Sequence, residues 1–214
     1  MKEKKIITTA KVVSIVFTPF YLPLLGMIAL LVFSYLNMLP TYYKLSLLTI
    51  IYFFTVLLPT YLIHLYHRYQ GWSPLQLGQR ERRIIPYVIS ILCYFTCFYL
   101  MNLFNMPHFM GSILVAALAV QTFCAIINLC FKVSTHTSAI GGLTGGMLAF
   151  SFIFNFNPIW WLCLLVFLGG MVGSSRMILR QHNLSEVVSG YVIGAFAAFT
   201  TIRSEEHTSE LQSL

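Results

Sequence analysis

The sequence contains no aspartate, and only 9% of its 214 residues are charged. The first absence excludes chemistry built on paired aspartates, and with it the Asp-rich metal site of a lipid-alcohol transferase. The second excludes an ordinary soluble domain, where about a quarter of the residues carry charge. Cysteine is also scarce. Cys93, Cys97, Cys124, Cys130 and Cys163 all fall in apolar segments, which fits small buried hydrophobes and supplies neither a disulfide framework nor a metal-ligand spacing. No metal site or cofactor is expected. A nucleic-acid partner is not expected either: the net charge of +7 flanks apolar segments, where membrane orientation and phosphate binding account for it better.

Hydrophobic residues make up 58% of the chain. Residues 12–43, 45–67, 84–131, 133–175 and 187–202 carry no Lys, Arg or Glu, and a bilayer crossing takes about 20 apolar residues. The two longest runs break at Asn102 to His108 and at Asn155 to Pro158, where Asn and Pro punctuate the pattern. The spacing therefore predicts an all-α fold, a polytopic membrane helix bundle with about seven transmembrane helices. They lie near 12–37 (kinked or broken at Pro19 and Pro23), 45–67, 86–103, 109–131, 137–154, 158–174 and 186–202. No small-residue cleavage pattern follows the first segment, which reads as a retained helix. The expected organisation is an N-terminal transmembrane pair (1–70), a membrane core (71–202) and a polar tail (203–214).

The last helix looks short: sixteen apolar residues, 187–202, span about 24 Å against a hydrocarbon core of about 30 Å. Residues 203–213, RSEEHTSELQS, resemble the translation of a common short-read sequencing library adapter. The tail is accordingly expected to be artefactual, with the seventh helix cut at Ile202.

Three polar clusters sit at helix ends: Arg80, Arg82 and Arg83 before the third helix; Lys132, Ser134 and His136 before the fifth; Ser175, Arg176, His182 and Glu186 before the seventh. Two crossings separate each cluster from the next, and an even number returns the chain to the same membrane face. The cations, joined by Arg180 in the last loop, and the Ser134 hydroxyl suit phosphate oxygens, which match a guanidinium fork. His182 and Glu186, four apart, place a carboxylate where it holds one ring nitrogen and leaves the other for chemistry. His136 is a second imidazole on that face, so one histidine can attack phosphorus while the other protonates the departing oxygen.

At these residues the sequence resembles the type 2 phosphatidic acid phosphatase superfamily, metal-independent lipid phosphatases related to vanadium haloperoxidases. The family's third motif, Ser-Arg, five residues, His, three residues, Asp, is reproduced by Ser175, Arg176, His182 and Glu186, with Glu in place of Asp. Its second motif, Pro-Ser-Gly-His, is matched in part by Val133, Ser134, Thr135 and His136. Its first motif, Lys, six residues, Arg-Pro, is the poorest match. Arg83 takes the arginine's place with the proline displaced to Pro86, Gln76 stands where spacing requires lysine, and Arg80 substitutes from a nearer turn. The resemblance covers about residues 78–197 and implies the family's phosphatase core.

By that resemblance His182 is the nucleophile that forms a phosphohistidine, His136 the acid and then the base, and Glu186 the group that orients His182. Arg176, Ser134, Arg83, Lys132 and Arg80 are the phosphate ligands. The implied activity is hydrolysis of a membrane lipid phosphate or diphosphate; the alternative is an inactive relative that binds phospholipid or assists membrane assembly. The expected partners are that lipid and the bilayer, and the expected place is a bacterial cytoplasmic (inner) membrane. Lys2, Lys4, Lys5, Lys11 and Arg68 against Lys44 put the site on the cytoplasmic side. His64 and His67 read as headgroup-facing, Trp72, Trp160 and Trp161 as interfacial anchors, and Gly141, Gly142, Gly145, Gly146, Gly190 and Gly194 as sites of close helix packing.

Overall fold

The computed structural model describes residues 2–33, 38–70, 84–104, 106 and 108–212, and every regular element among them is helical. The first helix, α1 (Lys2–Val16), begins well before the expected position near residue 12. Lysine is a good helix former and no breaker precedes Pro19, so the basic residues join the helix. Thr18 takes the extended conformation that a following proline favours (φ −68°, ψ 144°), and Pro19–Tyr21 forms a single 3-10 turn. Pro23 causes no second break, because it falls in the first turn of α2 (Leu22–Phe33), where a missing N–H costs nothing.

Helices α3 (Thr41–Tyr52) and α4 (Leu58–Gln70) form one rod joined by a π turn at Phe53–Leu57, just ahead of Pro59. Then come α5 (Ile84–Leu103), α6 (His108–Cys130), α7 (Thr135–Ile153), α8 (Ile159–Ile178) and α9 (Leu184–Gln212). Among the described residues six helical stretches are long and apolar enough to cross a bilayer: Glu3–Val32, Thr41–Gln70, Ile84–Leu103, Met110–Cys130, Ile159–Ile178 and Leu184–Glu205. The segment expected as the fifth crossing forms α7, but its Gly, Ser and Thr keep it off this set. It can afford that polarity because most of it is buried by other helices rather than by lipid.

The ending expected at Ile202 is corrected: α9 continues to Gln212. Residues 203–212 contain neither proline nor glycine, and their Glu, Gln and Leu favour helix. The apolar stretch then reaches Glu205, long enough to span.

The bundle is apolar on its outside as well as within. Phe167 and Phe196 are each 68% exposed, an arrangement that suits lipid and not water, whereas Met27, Ile51, Tyr94 and Leu114 are sealed in one core drawn from α2, α3, α5 and α6. This is an integral membrane protein. Cys93, Cys97 and Cys124 lie in the interior, but Cys130 and Cys163 are exposed. An apolar segment does not fix which face a residue takes when both faces meet hydrocarbon.

Helix α7 packs most extensively along α9. A Cβ at Gly141 would strike the carbonyl of Tyr191, one at Gly145 that of Ala195, and one at Gly194 that of Ser138. The two backbones touch, so only hydrogen fits at those positions. Thr144 and Tyr191 add a side-chain hydrogen bond of 2.8 Å across the same seam.

Candidate active site

The contact of α7 with α9 brings two loops together. Ser134 caps α7 in an extended conformation, its hydroxyl facing the Thr137 N–H at 3.5 Å, which satisfies one of the donors a helix start leaves over. The Ser134 N–H in turn donates to the Glu186 carbonyl at 3.1 Å, and Thr137 Oγ1 donates to the Val187 carbonyl at 3.0 Å. Lys132 Nζ donates to the Gln181 carbonyl at 2.7 Å. The segment 132–137 and the segment 181–187 are thus fastened by backbone as well as side-chain bonds. Lys132 acts as a strut between them.

The turn from α8 into α9 sets the position of His182. Leu179 ends α8, and Arg180 adopts a left-handed conformation (φ 52°) that glycine commonly supplies at helix ends. The Gln181 N–H closes back on the Arg176 carbonyl at 3.1 Å. The chain reverses within these residues and delivers His182 just ahead of α9, buried to 5% exposure. Its Nδ1 lies 2.6 Å from Glu186 Oε2, a carboxylate in the first turn of α9, where the helix dipole favours negative charge. Glu186 thus engages Nδ1 and holds the ring in place. Arg180 itself is exposed.

Arg176, in the last turn of α8, is buried, and its Nη1 donates to Ser14 Oγ of α1 at 2.6 Å. A guanidinium presents its N–H donors in a fixed planar fork. Beside it is a cavity of about 150 Å³ bordered by Pro19, Pro86, Gln121 and Thr135. Thr135 precedes His136, which is half-buried with Nδ1 3.5 Å from Thr135 Oγ1. Arg80 and Arg83 lie outside the described residues. The helix that follows them, α5, reaches the same cavity through Pro86, Tyr87 and Ser90.

Residues 94–208, just over half of the chain, match the PAP2 superfamily. The chain belongs to the PAP2 superfamily. The matched region includes every residue from Lys132 to Glu186 discussed above and excludes α1, α2 and the segment holding Arg80 and Arg83. No curated protein and no solved structure shows significant similarity to the chain. Membership suggests lipid-phosphatase-like activity in general terms. Among the described residues no group of three His, Cys, Asp or Glu side chains converges as metal ligands.

Sequence reasoning missed Ser14 and Gln121, and gave Thr135 no role beyond its place in the second motif. Ser14 carried a usable signal as a lone polar residue between Val12 and Phe17, and both it and Gln121 are buried.

Proposed function

We propose that this PAP2-superfamily protein hydrolyses a membrane lipid phosphate or diphosphate through a phosphohistidine, with no metal in the reaction. The observation that supports the reading is the 2.6 Å contact between His182 Nδ1 and Glu186 Oε2, the pairing expected of an imidazole oriented to act as a nucleophile through Nε2. Nε2 attacks phosphorus as the bond to the lipid oxygen breaks, and His136 gives that oxygen a proton. A water then attacks the phosphohistidine while His136 takes its proton back, the P–N bond breaks, and inorganic phosphate leaves.

Arg176, Arg83, Ser134 and Lys132 stabilise the equatorial oxygens in this scheme, with Arg80 as a further phosphate ligand. A buried guanidinium beside a cavity is preorganised for that work, since it acts away from bulk water. Residues 203–214 take no part. The lysines of α1 support a site on the cytoplasmic face of a bacterial inner membrane, by the positive-inside rule.

The test is phosphate release by the purified protein in detergent with excess EDTA, over a panel of lipid phosphates and diphosphates. Turnover is expected in the wild type, none in His182→Ala and little in His136→Ala. Full activity in His182→Ala, or strict dependence on an added divalent cation, overturns the mechanism; no release from any substrate favours an inactive phospholipid-binding relative.

A further inference from the structure

Helix α1 packs along α8, but the break at Pro19 turns α2 towards α6 and α7. Between α2 and α8 lies a cavity of about 340 Å³, walled by carbon from Leu25 and Ala29 on one side and Leu164 and Leu168 on the other. That volume falls in the range of roughly 300–1,000 Å³ typical of small-molecule sites. Leu25 and Leu164 in its walls are 41% and 45% exposed, so the space opens onto the lipid-facing surface, from which an apolar chain can enter.

Two glycines of α7 face this cavity, and they differ in kind from their neighbours. Gly141 and Gly145 are forced by the backbone of α9. The atoms nearest to a Cβ at Gly142 would be Leu22 and Val120 side chains at 3.4 Å, and one at Gly146 would meet only Ile202 Cδ1 at 3.4 Å. Helix contact does not demand glycine there; what glycine leaves is room.

The cavity also has a direction. Leu22 and Val120, at one end of it, wall a neck of about 10 Å³ together with Pro19, Gln121 and Thr135. Those three residues border the cavity beside Arg176. An apolar space, a narrow neck and a cationic cavity thus adjoin in sequence, the order of chain, linkage and phosphate in a phosphorylated lipid. The neck holds about one water, so Leu22 and Val120 must turn aside for a chain to lie through it.

We propose that the cavity between α2 and α8 takes the apolar chain of the same lipid whose phosphate is held at Arg176, and that Leu22, Val120 and Gly142 select which chains pass. This rests on the phosphatase reading above and adds where the chain goes. Helix α2, which lies outside the region matched to the family, is then the element that sets chain selectivity.

The test compares kcat/KM for matched phosphate lipids with six-carbon and sixteen-carbon chains in mixed micelles, for the wild type, Gly146→Leu and Ala29→Phe. Either substitution fills the cavity, and the ratio of long-chain to short-chain kcat/KM is expected to fall at least tenfold. An unchanged ratio in both variants overturns the proposal. A second arm uses wild-type protein and needs no turnover: a phosphatidic acid carrying a diazirine at the end of its acyl chain. Labelling of α2 or α8 that survives excess phosphatidylcholine is expected. Labelling that phosphatidylcholine abolishes means bulk lipid alone fills the space and overturns the proposal. Should the wild type release no phosphate at all, the phosphatase reading fails while the labelling arm still decides the cavity.

Discussion

Ser14 Oγ accepts a hydrogen bond of 2.6 Å from Arg176 Nη1, joining residues 162 positions apart in two buried side chains. A hydrogen bond to a charged group is worth about 1.5–3 kcal/mol, and here its effect is to fix which N–H groups of the guanidinium point elsewhere. Ser14→Ala is expected to raise KM for a lipid phosphate about tenfold, with a smaller change in kcat, while Ser14→Thr keeps the hydroxyl and most of the affinity. Steady-state kinetics on the three proteins checks this. Equal KM values would show that Ser14 does not position Arg176.

Glu186 is expected to act through His182. In Glu186→Gln the amide no longer stabilises a charged imidazole, so kcat falls by about 100-fold with the fold intact. Glu186→Asp restores the residue usual in the family and retains much more activity. Rates measured across pH, with thermal unfolding in detergent as the control for folding, decide the matter; identical profiles for wild type and Glu186→Gln would remove Glu186 from the mechanism.

Neighbouring glycines of α7 separate two structural roles. Gly145→Val drives a side chain into the Ala195 carbonyl, and overpacking of this kind costs about 1–3 kcal/mol or more. Gly146→Ala places its Cβ at ordinary contact distance from Ile202. Thermal unfolding is expected to show a marked loss for the first and little change for the second. Similar midpoints for both would mean that α7 and α9 lie farther apart than described.

The proposed sidedness rests on charge and is open to a labelling test. With Cys130 and Cys163 replaced, Gln181→Cys puts one exposed thiol in the loop between α8 and α9. An impermeant thiol reagent is expected to label it after lysis and not in intact cells, placing the site in the cytoplasm. Labelling of intact cells places it outside.

The sequence makes parts of this molecule legible and hides others, for physical reasons. Pro19 marks its break because proline disfavours helix at the residue before it and Thr18 is extended, and the spacing of Arg176, His182 and Glu186 is short-range enough to read directly. Ser14 belongs to a contact across 162 positions, and no local rule pairs it with Arg176. The helix near 137–154 is legible as α7, but that other helices and not lipid surround most of it is a matter of packing that no local pattern gives. Hydropathy misplaces the end of α9, because helix formation does not stop where apolar residues do. Cys130 and Cys163 show the same limit, as a bundle apolar on both faces erases the distinction between inside and outside.

The most direct test of the central claim is to trap the covalent intermediate. Purified protein is mixed with lipid phosphate radiolabelled at phosphorus, quenched within milliseconds in alkali, digested and mapped. The account predicts an acid-labile, base-stable phosphate on the peptide carrying His182, absent from His182→Ala. Turnover with phosphate on no histidine, or on a peptide that lacks His182, would contradict it.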